Sequence, residues 1–207
     1  MTPEDIEALF TREDGSFFFS RWGRPIAPVV FGVEEETLSV IKGAFEAVVA
    51  LAGHRMAQTD PELGSNCMVF FLRDWGELRD VPDLGRLIGD LDALVPRLEA
   101  AEANQYRVFR FDDTGAIRAA FVLLRMDEQL SAVSADTLAL SQVVQTILVW
   151  SDTAFRRQAP LAVAGETTIL RPEIAQVIRA AYDPVLPASE RDPAHALRLF
   201  ARLEGVQ

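Results

Sequence analysis

Three polar side chains within one apolar segment have the spacing to do chemistry. In Leu138-Ala-Leu-Ser-Gln-Val-Val-Gln-Thr-Ile-Leu148, Ser141, Gln142 and Gln145 stand at i, i+1 and i+4. On a helix, that spacing lets two histidines hold a zinc ion while a glutamate activates the water bound to it. Here all three side chains are neutral. Ser141 and Gln142 take up no proton near neutral pH, and Gln145 offers at best a weak oxygen donor. The residue types point away from metal-assisted hydrolysis on this helix. They leave a ligand or partner surface, or a plain polar stripe of the kind most helices carry.

Other titratable groups are few. The chain has two histidines, His54 and His195, and one cysteine, Cys67. Cys67 opens an apolar run, where free cysteines are usually inert packing residues, so a Cys67–His54 dyad is disfavoured. His54 follows a long helical pattern beside Gly53, where a helix dipole would favour its cationic form. His195, between Ala194 and Ala196, reads as a surface or supporting residue. The acidic pairs Asp60/Glu62, Asp90/Asp92 and Asp112/Asp113 could in principle hold a hard cation or do acid–base work. Asp112-Asp113-Thr-Gly115 fits a hairpin turn better than a calcium loop. Asp152 and Asp183 are expected to fix local structure. No glycine-rich phosphate loop and no Gly-x-Ser-x-Gly elbow is present. Trp22, Trp75, Trp150 and Phe17 to Phe19 could line an apolar pocket or a dimer face, with core packing as the default.

Composition sets the outer bounds. A chain of 207 residues with 49% hydrophobic and 25% charged residues is long enough to bury a core without a disulfide or metal. One domain spanning 1–207 is expected, with an α/β part at 1–131 and a helical part at 132–207. The net charge of −11 argues against nucleic acid and anionic membranes as partners. The acidic start, Met1-Thr-Pro-Glu-Asp-Ile-Glu7, has no secretory pattern, and no apolar run approaches membrane-spanning length, so a cytoplasmic location is expected.

The elements that would position these residues follow from periodicity. Thr2-Pro3 starts a short helix. Strands are expected at 17–22 and 25–32. A helix follows over 34–51, with Leu38, Ile41, Phe45, Val48 and Val49 on one side and three glutamates in its first turn. A loop covers 59–65, and Cys67 to Leu72 reads as a buried strand. Residues 82–103 are helical but interrupted, with Pro96 starting a second helix or kinking the first. Strands at 106–111 and 116–124 form a hairpin. Ser134 caps a helix over 135–150. Two more helices follow, at 172–182 and from Pro193 to about Leu203, the last with Ala196, Leu197 and Phe200 inward. Strands mixed with helices, followed mostly by helices, make an α+β pattern.

That order resembles zincin-type metallopeptidases. Gln145-Thr-Ile-Leu-Val-Trp-Ser-Asp152 and Leu170-Arg-Pro-Glu-Ile-Ala-Gln-Val-Ile-Arg-Ala-Ala-Tyr-Asp-Pro184 look like an uncharacterised proteobacterial family suspected to be metallopeptidase-like. Gln145, Asp152, Tyr182, Asp183 and Pro184 match its pattern over roughly 136–187. The family's acidic helix positions fall on Ser141 and Gln142, so its suspected hydrolytic activity is not expected to carry over. Glu166 and Glu173 lie where some zincins place a third ligand, with no first and second ligand to complete. The resemblance implies a degenerate zincin-like fold without metal or cofactor, and a non-catalytic protein. Ser141, Gln142, Gln145, Asp152 and Glu173 are its candidate contacts with a small ligand, a protein partner or a second copy of the chain. The alternative is a hydrolase whose active residues, among them Glu166, Glu173, Asp152 or the histidines, assemble outside 141–145.

Overall fold

A computed structural model describes residues 1–165 and 167–204. The chain opens with helix α1 (Pro3–Phe10), whose N-cap Thr2 and Asp5 form a reciprocal capping box. Of the aromatic run, only β1 (Phe19–Ser20) is a strand. Phe17, Arg21 and Trp22 instead make single bridges to three different neighbours. Then come β2 (Pro28–Phe31), α2 (Glu35–Leu51) and β3 (Cys67–Leu72). A 3₁₀ turn at Trp75–Asp80 leads to α3 (Leu84–Ile88) and α4 (Leu91–Ala100). The break expected at Pro96 lies instead at Gly89-Asp90. The Asp90 carboxylate caps α4 by accepting from the Asp92 and Ala93 amides, and Pro96 sits inside the helix.

The hairpin is present as β4 (Gln105–Phe111) and β5 (Ile117–Arg125), with the Asp112 carboxylate organising its turn. After α5 (Glu128–Ser131) comes α6 (Ala135–Ile147), capped by Ser134 as expected. An exposed hairpin that the sequence reading lacked, β6 (Leu161–Ala164) and β7 (Thr167–Leu170), interrupts the helical half. Then follow α7 (Pro172–Ala181), β8 (Ser189–Glu190), which pairs with β1, and α8 (His195–Glu204). With 41% helix and 23% strand, the chain is α+β.

The main sheet has the order β2-β3-β5-β4. Its first three strands are parallel and β4 is an antiparallel edge. Side chains alternate between two faces. Cys67 and Val69 of β3 and Val122 and Leu124 of β5 face the side of α2 and α6, which pack on each other. Phe70, Leu72, Phe121 and Leu123 face a second core built from Trp75, Leu78, α3 and α4. Gly32, just after β2, has φ +83°, and a Cβ there would lie 2.1 Å from the Phe71 carbonyl oxygen, so only glycine fits.

Helix α8 crosses α1 and α7. Its inward residues are His195, Ala196 and Leu199, with Phe200 against the core. Leu197 is 59% exposed, not inward, because a helix starting at His195 turns it about 200° away from that residue. The aromatic run and all three tryptophans pack into the two cores or against them.

Candidate functional site

Helix α6 runs over the sheet on the α2 side, and its polar residues meet the edge strand β4. Alternation along β4 turns Tyr106 and Val108 to the second core. Phe109, and with it Gln105 and Arg107, turn to the α6 side. Gln142 is only 5% exposed. Its Oε1 accepts from Nη2 of Arg107, and its Nε2 donates to Oε1 of Gln105 at 3.0 Å. Arg107 Nη2 also donates to Gln105 Oε1 at 3.2 Å. Gln105, Arg107 and Gln142 thus form a closed triangle between β4 and α6.

Ser141 and Gln145 are half-buried and joined to each other, Gln145 Nε2 donating to Ser141 Oγ at 2.9 Å. Their pairing across one helical turn agrees with the i, i+4 spacing.

The charge in this site was not singled out from the sequence. Arg107 is half-buried, its Nε is enclosed, and burial pushes its pKa down to about 10. That Nε has no partner among the described residues. No carboxylate lies within ion-pair distance of it among the described residues. The available signal was the period of β4, which places Gln105 and Arg107 on the core-facing side.

The end of α6 is held by aromatic polar groups. The last carbonyls of a helix have no partners within it. Here Trp150 Nε1 donates to Val144 O at 2.8 Å, Trp22 Nε1 to Thr146 O at 3.0 Å, and Tyr182 Oη to Ile147 O at 2.8 Å. The Trp22 amide in turn donates to Tyr182 Oη at 3.3 Å. These caps stop the helix at Ile147, three residues before the expected end, and Leu148 turns extended to bridge Arg21. Burial pushes the Tyr182 hydroxyl well above its usual range. Tyr182 is therefore a structural clamp.

The remaining candidates lie elsewhere. Asp152 accepts from the Glu13 amide at 3.1 Å and pairs with Arg156 at 3.5 Å, tying the 150s loop to the N-terminus rather than capping its own segment. Glu173, in the first turn of α7, lines a cleft of about 910 Å³ with Asp5, Arg156, Arg157 and Arg171. Neither this cleft nor those beside Asp183, Asp112 and Tyr106 are lined by Ser141, Gln142 or Gln145. The five candidates are therefore not one site: Ser141, Gln142 and Gln145 share α6, while Asp152 and Glu173 lie apart from it. Glu166 lies outside the described residues.

Asp183 fixes its turn through the Val185 amide and also pairs with Arg202 at 2.9 Å. Asp60 accepts from the Glu62 and Leu63 amides, Asn66 and Arg24, a loop-closing role. Cys67 is fully buried and its thiol is pushed up to about 12.

Neither histidine behaves as expected. His54 Nε2 donates to the Arg24 carbonyl at 2.8 Å. Burial first, and then Arg21 and Arg55, lower its pKa, so the cationic form is disfavoured rather than favoured. His195 is 0% exposed, with neither ring nitrogen hydrogen-bonded among the described residues, and it packs on Phe19 with ring centroids 4.3 Å apart.

Among the described residues, no three His, Cys, Asp or Glu side chains come together to hold a metal ion, and no helix is long and apolar enough to cross a membrane. Compared with known proteins, the chain matches no protein family, no curated protein and no solved structure.

Proposed function

We propose that the chain is a non-catalytic, cytoplasmic binding protein of degenerate zincin-like architecture, which takes a small ligand or a protein partner at the seam between α6 and β4. The observation that carries this reading is the state of the three helix residues. Gln142 is engaged with Arg107 and Gln105, and Ser141 is engaged with Gln145. A helix that positions a metal and its water needs at these places groups that give or take protons. Amides bonded to a guanidinium and to each other hold geometry without moving protons.

The zincin-like part is supported by topology. Three parallel strands carry an antiparallel edge strand β4, and the long helices that follow β2 and β5 pack together on one face. The test is to purify the protein from its native host, measure its zinc, and assay it on generic peptide substrates with and without a chelator. Substoichiometric zinc and no chelator-sensitive cleavage are expected. One bound zinc per chain, or hydrolysis that a chelator abolishes, would overturn the non-catalytic reading.

A further inference from the structure

We propose that Arg107 is the receptor for a carboxylate, bound where β4 meets α6 and framed by Gln105 and Gln142. The inference rests on the binding reading above and gives its ligand a chemical class. Removing a cation from water is costly unless an anion accompanies it, and buried charges in proteins are accordingly paired. This chain has 31 acidic residues, and exposed or half-exposed arginines such as Arg24, Arg118 and Arg202 each have a carboxylate. Arg107, whose Nε is enclosed, has only two neutral amide oxygens, both on Nη2, whereas Arg21, with a similarly enclosed Nε, donates to two backbone carbonyls. The Arg107 Nε is enclosed without a partner among the described residues. Among the described residues no internal acid answers this guanidinium, and a ligand can supply one.

Carboxylate is the class that fits. A guanidinium edge matches its planar pair of oxygens. The contact on offer is one guanidinium edge framed by two amides, so the group it recognises is small. That leaves a free monocarboxylate, or the terminal carboxylate of a longer chain.

The experiment titrates the whole protein with sodium acetate against sodium chloride at equal ionic strength. It follows Tm and the Arg107 side-chain Nε–Hε resonance. In parallel, a tripeptide with a free C-terminus is compared with its C-terminal amide. A saturable Tm rise of about 2 °C or more with acetate, or with the free tripeptide but not its amide, is expected. The resonance should shift alongside it. A response to acetate identifies a free acid as sufficient, whereas a response to the tripeptide alone identifies a chain terminus.

Two variants must abolish the response. Arg107→Met removes the receptor, and Gln142→Glu places a carboxylate on it from within. Should Arg107→Met not fold, Gln142→Glu alone decides. No saturable response in the native protein, or an unchanged response in Gln142→Glu, would overturn the assignment. Neither result bears on zinc content or hydrolysis, so the carboxylate assignment and the non-catalytic reading fail separately.

Discussion

At the scale of single residues, the unusual feature is charge without a counter-charge. The identity of Gln142 alone suggests that Gln142→Glu is harmless on the surface and costly when buried, because a lone carboxylate resists burial. The structure supplies a third case, buried but facing a cation. Glutamate at 142 would accept a charge-assisted bond from Arg107, so Gln142→Glu is expected to raise stability by about 1 kcal/mol in urea unfolding. Gln142→Leu should lower it by about 2 kcal/mol or more, since it strips the guanidinium of an oxygen. A loss of stability in Gln142→Glu would mean that Arg107 is compensated by other means.

His195 makes the second residue-scale prediction. Burial first, then Arg198, push its pKa from an ordinary 6.5 to about 4, with Glu190 and Asp192 acting in the opposite direction. The unfolded chain therefore takes up the proton before the folded one does. The stability of the neutral imidazole is fully present above about pH 6.5 and is lost as pH falls toward 4. His195→Leu should flatten that part of the stability–pH curve, leaving a residual slope from His54, whose pKa is lowered in the same direction. An unchanged curve would place the proton uptake elsewhere.

At the scale of elements, legibility tracked periodicity. Long amphipathic segments such as α2, and caps with a local chemical signal such as Ser134, could be read from the chain because their causes are local. What could not be read depends on distant partners. Helix α6 ends where Trp22, Trp150 and Tyr182 reach its carbonyls, and two of these lie far away in sequence. The hairpin β6–β7 was missed because its residues show no strong alternation, and Val163 is left 76% exposed. The Gln105–Arg107–Gln142 triangle required knowing that β4 is the edge beneath α6. The candidates Ser141, Gln142 and Gln145 were legible as a group, whereas their neighbour Arg107 was not.

Tyr182→Phe tests the clamp. It removes the donor to Ile147 O and the acceptor for the Trp22 amide, and should cost about 1–3 kcal/mol in thermal or urea unfolding while leaving the far-UV spectrum unchanged. A cost near zero would show that water replaces both bonds.

At the scale of the whole molecule, two cores share one sheet. Alternate residues of β3 and β5 belong to opposite cores, so neither core can dissolve without stripping the strands that support the other. Unfolding should therefore be a single transition. Trp22 and Trp150 report on the α2–α6 side and Trp75 on the other. Fluorescence of a variant keeping only Trp75 should coincide with far-UV dichroism across a urea titration. Separated midpoints would show that the two layers melt independently.

The buried Cys67 gives the same sheet a built-in timer. It lies in the central strand β3, between β2 and β5, and no other thiol competes with it. Alkylating reagents attack the thiolate, and this sulfur is both enclosed and held protonated. Labelling should proceed only as fast as the sheet opens, so the rate at which the chain gains one adduct mass under native conditions reads out the lifetime of the folded state without denaturant.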